Sequence, residues 1–209
     1  MTRLILAPTP TEFSRIVQQY ENKYKELDNI YVSAVNSFKT LNGSFGKQEV
    51  GSILHPYLLR WGRMGRVLGY KGCDRIGNAL NGLRPQIGKL QGATLETIDL
   101  NEKYDDIDDL YYELLNANWK SEKGRTKRVG PTATAKVLHL ALPNLFMIWD
   151  RKVRNSLGFG ENGGEYIRFL ENMQDWNKKL NSIICSLEKK YDKTTTKLID
   201  EYNWKKCWG

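Results

Sequence analysis

Asp150 is the residue in this chain whose setting best suits a chemical role. It closes the apolar run Leu145-Phe146-Met147-Ile148-Trp149 and opens the basic segment Arg151-Lys152-Val153-Arg154. An apolar run of this kind must be buried, while the residues after it resume helical spacing through Val153 and Leu157. Asp150 therefore stands at a helix start, where an aspartate accepts N–H bonds from the first turn. It also stands at the end of a buried segment beside a basic groove, where a carboxylate could activate water or stabilise a developing cation. Nineteen or so residues upstream lies the turn Lys127-Arg128-Val129-Gly130-Pro131. Glycine lets the backbone turn with nothing projecting, and Pro131 suits the first helical position. The free N–H groups and dipole of that helix start would attract an anion. Flanking Lys127 and Arg128 add full charges. A phosphodiester held there by the main chain of Val129, Gly130 and Thr132 would be bound without sequence preference. Arg151 and Arg154 extend the same basic surface.

The elements that must position these groups read as helices. Residues 10–40 repeat apolar side chains at three- and four-residue steps, with Thr9 or Thr11 as the cap and a second short helix or a continuation after residue 30. The Gly/Ser/Asn stretch 41–51 is the best internal boundary. Residues 52–70 predict a helix weakened by Gly62, Gly65 and Gly69, and 73–92 predict short helices broken at Gly82 and Pro85. An acidic amphipathic helix covers 94–118. The turn at 129–131 joins one helix to the next, the latter covering 131–142 and stopped by Pro143. A long helix covers 165–191, and a last helix follows Asp192-Lys193-Thr194. No run of alternating strands, internal repeat or low-complexity tract stands out, so the predicted class is all-α.

Charge narrows the partners. The net charge is +8 and the isoelectric point near 9.3, which favours a polyanion. Basic residues gather at 60–75, 119–136 and 151–154, and acids at 96–113, a segregation suited to a one-sided nucleic-acid binder. For any single cluster, a solvated helix face is the competing reading. No segment has the roughly 18 uninterrupted apolar residues that span a bilayer, and the short apolar run at the start does not make a signal-peptide core. The expectation is an intracellular soluble monomer, in cytoplasm, nucleoid or nucleus. Three widely spaced cysteines and two histidines argue against a disulfide framework, a structural zinc site or an iron–sulfur cluster; no metal and no cofactor is expected.

The central stretch resembles a known family. Gly-Pro-x-x-Ala, a short apolar helix, an apolar run and then Trp-Asp-x-x-Val-Arg is similar to the core of the helix-hairpin-helix DNA glycosylase superfamily, which includes endonuclease III and the adenine, alkylbase and 8-oxoguanine glycosylases. The match is Val129-Gly130-Pro131, Ala133 or Ala135, Asp150, Val153 and Arg154 or Asn155, within residues 119–159. The resemblance implies two helical lobes with DNA across the cleft. On that reading one lobe comprises 1–50 plus 160–209. The other comprises 51–159 and carries the helix-hairpin-helix at about 119–142. A damaged base would flip into the cleft, and Asp150 would match the catalytic aspartate. Bifunctional members carry a lysine nucleophile just after the hairpin glycine; here Thr132 stands there. Lys136, one turn later on the same helix face, is a displaced nucleophile, a phosphate contact or a solvated lysine. Trp61, Trp149, Trp204 and Trp208 are the candidate stacking surfaces for a base, each with core packing as the competing role. Three functions follow: hydrolysis of an N-glycosidic bond with Asp150 as the carboxylate, a DNA-binding module in which Asp150 only caps its helix, or an RNA or protein scaffold using the same basic face.

Overall fold

A computed structural model describes residues 5–41 and 45–208. In chain order they form α1 (Pro10–Lys39), α2 (Lys47–Glu49), a π-helix (Val50–Trp61), α3 (Gly69–Lys89), α4 (Tyr104–Asn116), β1 (Asn118–Lys120), β2 (Thr126–Arg128), α5 (Pro131–Ala141), α6 (Arg151–Leu157), α7 (Gly163–Tyr191) and α8 (Thr195–Trp208). The fold is all-α, with one short antiparallel hairpin in which Trp119 pairs with Lys127. Of the expected boundary loop at 41–51, residues 42–44 lie outside the described residues.

Thr9 caps α1 by accepting the Glu12 N–H at 3.2 Å, with Pro10 at the first position. The helix is one continuous rod, because the apolar spacing runs unbroken from Phe13 through Tyr20 to Tyr31, Ala34 and Val35, all buried. The π-helix after α2 contains Pro56. Proline lacks an N–H and clashes with the carbonyl four residues back, and the wider π turn accommodates it. The next turn is tight. A Cβ on Gly62 would lie 2.7 Å from the carbonyl oxygen of Leu58, a backbone atom with no room to yield.

Two expected breaks are absent. The helix α3 runs through Gly82 and Pro85, which both lie on its exposed side, while Leu80, Leu83 and Ile87 bury the other. Burial of that stripe outweighs two poor helix formers facing water. The acidic helix is also shorter than expected: 94–103 is a series of turns, and α4 begins at Tyr104.

The run Leu145–Trp149 threads the middle of the core, each residue at 3% exposure or less. The Tyr166 hydroxyl of α7 donates to the Met147 carbonyl at 2.6 Å, and His139 of α5 meets the Phe146 carbonyl at 2.7 Å. These bonds satisfy a non-helical buried segment that would otherwise leave polar groups unpaired. The run thus delivers Asp150 at the surface in a fixed place. No helix among the described residues is long and apolar enough to cross a membrane.

Candidate functional site

Asp150 begins α6 in extended conformation, and its Oδ1 accepts the Val153 N–H at 2.9 Å. It is the helix cap that its position suggested. Its Oδ2 points the other way and accepts the indole N–H of Trp208 at 2.7 Å. The carboxylate is half-buried and lines a cleft of about 650 Å³, a size that accommodates a small organic ligand.

Five segments line this cleft. From α1 come Tyr20 and Tyr24; from the end of the π-helix and its turn, Trp61, Arg63, Met64 and Arg66; from α5, Thr132 and Lys136; from Ile148 onward, Asp150, Arg151 and Lys152; and from α8, Asp200, Trp204 and Trp208. Three of the four expected tryptophans thus share one cavity with both expected catalytic residues. Helix α8 reaches it because α1 and α8 pack along each other and α6 touches α8.

The walls are aromatic. Trp204 sits edge-on to Tyr24 at 5.0 Å and to Tyr20 at 5.8 Å, and is nearly parallel to Trp208 at 6.3 Å between ring centres. Trp61 lines the cleft but is 8% exposed: it is stacked on Tyr57 at 5.1 Å, packs against Tyr31 at 5.2 Å and donates its indole N–H to Asp28 at 3.0 Å. The ammonium of Lys136 lies 4.5 Å from its ring centre, a cation–π contact. Lys136 is the deepest cation of the cleft. Burial lowers its pKa below the ordinary lysine value, against the opposing pull of Asp200 and Asp150. Asp200 is itself pushed up to about 6 by burial, with Lys197 and Lys136 acting the other way.

The rim is basic. Arg63, Arg66, Arg151 and Lys152 are exposed around the mouth, and Lys152 lies 3.9 Å over the Trp208 ring. Lys127 and Arg128 are also exposed, on β2; the Lys127 ammonium reaches the Val67 carbonyl at 3.3 Å, and Arg128 lies 3.8 Å from Glu161.

Four expectations need correction. Residues 118–128 form a β-hairpin where a helix was expected before the turn. Gly130 does turn the chain, with φ of 75°, which its lack of a Cβ permits. Yet the N–H groups of Val129 and Gly130 donate to the carbonyls of Ala117 and Leu115 at 3.0 and 3.4 Å. They are spent on the C-terminal end of α4 and are not offered to a phosphate. Arg154 is 3% exposed; its guanidinium donates to Thr132 Oγ1 at 3.3 Å and Glu161 at 3.0 Å, so it holds α6 to α5 and does not face solvent. Trp149 is fully buried among Tyr111, Phe159, Tyr166 and Phe169 and has no face for a base.

Residues missed from sequence are Tyr20, Tyr24 and Asp200. Tyr20 and Tyr24 read as core positions of an amphipathic helix, and nothing local marks Asp200. Beneath the cleft lies a buried ionic cluster. Glu21, Asp28 and Glu201 converge on one point, and the Lys193 ammonium fills it, bonded to Glu21, to Asp28 at 2.7 Å and to Glu201 at 2.6 Å. Fully buried Lys197 lies 3.0 Å from Glu201 and 3.5 Å from Asp28. Burial opposes the Lys197 charge, but Glu201, Tyr20, Asp28 and Asp200 hold its pKa well above the ordinary value. The cluster ties α8 to α1 and so fixes the cleft wall. Compared with family models, curated proteins and solved structures, the chain has no match.

Proposed function

We propose that this chain binds duplex DNA across its basic rim and hydrolyses the N-glycosidic bond of a damaged or mismatched base flipped into the cleft. The observation that carries this reading is the composition of one cavity: a carboxylate (Asp150) and a half-buried amine (Lys136) between aromatic walls (Trp61, Trp204, Trp208), under a ring of arginine and lysine. Each part matches a requirement of the chemistry. A flipped base is held by stacking, worth ~1–3 kcal/mol per base. The departing base leaves an oxocarbenium-like sugar that an adjacent carboxylate stabilises. The phosphates on either side need cations that carry no sequence preference. The similarity of the stretch around Gly130 and Asp150 to the helix-hairpin-helix glycosylases agrees with this reading, although the hairpin here is entered from a β-strand.

In this mechanism the base lies against Trp204 and Trp208, displacing the Trp208 indole from Asp150. Oδ1 stays on the Val153 N–H and keeps the carboxylate oriented, while Oδ2 faces the sugar and positions the attacking water. Lys136 is the amine closest to the chemistry. Its depressed pKa raises its neutral fraction, as an amine nucleophile requires, so Lys136 can take the place of water at C1′ and form a Schiff base with the opened sugar.

A second reading is a DNA-binding module without catalysis. It is favoured by the fact that both oxygens of Asp150 already have N–H partners. The two are separated by incubating duplexes that carry a panel of lesions with the wild type and with Asp150→Asn. Release of a base by the wild type alone, with equal duplex affinity, supports the enzyme; binding without release by either supports the module.

A further inference from the structure

The cleft contains a carboxyl group that the mechanism above leaves unused. Asp200 projects from α8 into the same cavity as Asp150 and Lys136, and it is 7% exposed. Among the described residues its nearest ionic partner is Lys197 at 3.9 Å, beyond hydrogen-bond reach. The Lys197 ammonium is closer to Glu201 and Asp28, so it serves the buried cluster below. A carboxyl group more than nine-tenths buried normally has hydrogen-bond partners; this one has its open side on the cavity. Asp150 differs in every respect. Both of its oxygens accept N–H groups, which suits an acceptor and an anion.

We infer that Asp200 is the proton donor of the site, giving its proton to the departing base while Asp150 faces the sugar. The inference rests on the glycosylase reading above and assigns the step that reading lacks. Two carboxyl groups in one cleft, one accepting two N–H bonds and the other without a hydrogen-bond partner among the described residues, can divide electrostatic and acid roles between them. The bond between C1′ and the base nitrogen breaks, and its electron pair goes to the base. The base takes the proton from Asp200, water adds its oxygen to C1′, and the water proton passes to Asp150 and on to solvent. Asp200 then regains a proton from solvent. The base class this serves is a neutral one, for which departure as an anion is costly. A base that already carries a positive charge gains nothing from the acid.

The groups that set the protonation of Asp200 come from every neighbouring element. They are Lys197 on α8, Lys136 on α5, Asp150 before α6 and Asp28 on α1; Tyr20, Tyr31 and Tyr57 also face it, and burial keeps them neutral. Burial raises its pKa to about 6 in the free protein, and a base that displaces the remaining water raises it further. An acid must be protonated to act, so the rate should be highest at low pH and fall as pH rises through the value of the bound complex, which lies above that of the free protein.

The test uses single-turnover release of a neutral lesion base, over pH about 5 to 8.5, by the wild type, Asp200→Asn and Asp200→Glu. The expected loss in Asp200→Asn is on the order of 10²-fold or more, with the falling limb of the pH profile gone. Asp200→Glu should retain the limb at a shifted position, and it carries the test if Asp200→Asn does not fold. A methylated, cationic purine in the same duplex should be released at nearly equal rates by the wild type and Asp200→Asn. An Asp200→Asn protein that melts like the wild type and releases the neutral base with the same rate and the same limb would overturn the assignment and leave the glycosylase reading intact. A wild type that releases no base from any lesion removes both.

Discussion

The indole N–H of Trp208 donates to Oδ2 of Asp150 at 2.7 Å, while Oδ1 of the same carboxylate caps α6 through the Val153 N–H. One side chain is thus shared between a structural task and the cavity. The Trp208 ring is 47% exposed and backed by Lys152, so it can leave Asp150 without disturbing the core. Trp149, the neighbour of Asp150 in sequence, has no such freedom.

That contrast has a direct consequence for stability. Trp149→Ala opens a large cavity at the centre of the core and should cost about 3–5 kcal/mol. Trp208→Ala removes an exposed ring and one hydrogen bond, and should cost about 1 kcal/mol or less. Urea unfolding of the two variants compares them. Similar losses would place Trp149 outside the core.

The two arginines of α6 should separate binding from folding. Arg151→Ala should leave stability within about 0.5 kcal/mol and reduce the salt dependence of duplex binding by roughly one counterion. Arg154→Ala strips the buried bridge to Thr132 and Glu161 and should cost roughly 2–3 kcal/mol, less than a fully buried pair because Glu161 is half exposed. Salt titrations and melting curves measure both. An Arg154→Ala protein that melts like the wild type but binds DNA poorly would reverse the assignment.

His139 should make the fold acid-sensitive. Its Nδ1 must donate to the Phe146 carbonyl, so its Nε2 accepts the Tyr31 hydroxyl at 2.9 Å. Burial pushes its pKa from 6.5 down to about 3. The unfolded chain takes up a proton near 6.5 and the folded one does not. The stability due to His139 is therefore fully present above that value and lost as pH falls toward 3, by up to about 1.4 kcal/mol per unit. The wild type and His139→Gln, unfolded in urea at pH 7 and 4.5, should lose stability to clearly different extents. Equal losses would remove His139 as the source.

Lys136 should be the trappable amine. Borohydride added to the protein with a lesion-bearing duplex should give a covalent adduct that Lys136→Ala no longer forms. An adduct of undiminished yield in that variant would assign the amine elsewhere and leave Lys136 as a phosphate contact.

The central stretch was legible because its signals are local. A glycine with positive φ, a proline at a first helical position and an aspartate between an apolar run and a basic helix each state their role within a few residues. So did the long helices, whose apolar period is strong. The preceding β-hairpin was not legible, because strands of three residues, Asn118–Lys120 and Thr126–Arg128, are too short to show alternation. The π turn at Pro56 and the continuity of α3 through Pro85 depend on tertiary packing that outweighs local propensity. Tyr20, Tyr24 and Asp200 come from the two ends of the chain and meet only because Glu21, Asp28, Lys193 and Glu201 fasten α1 to α8. A buried carboxylate and the lysine that neutralises it, 165 residues apart for Asp28 and Lys193, leave no mark on one sequence. Sequence spacing could bring Asp150 and Lys136 to a surface, but not tell which tryptophan shares it.

The most direct measurement is release of free base from a panel of lesion-bearing duplexes by the wild type and by Asp150→Asn, with duplex affinity determined in parallel. The expected result is release by the wild type, a loss on the order of 10²-fold or more in Asp150→Asn, and affinities that agree within a few-fold. Undiminished release by Asp150→Asn, or binding without release by the wild type on every lesion, would contradict a catalytic role for Asp150.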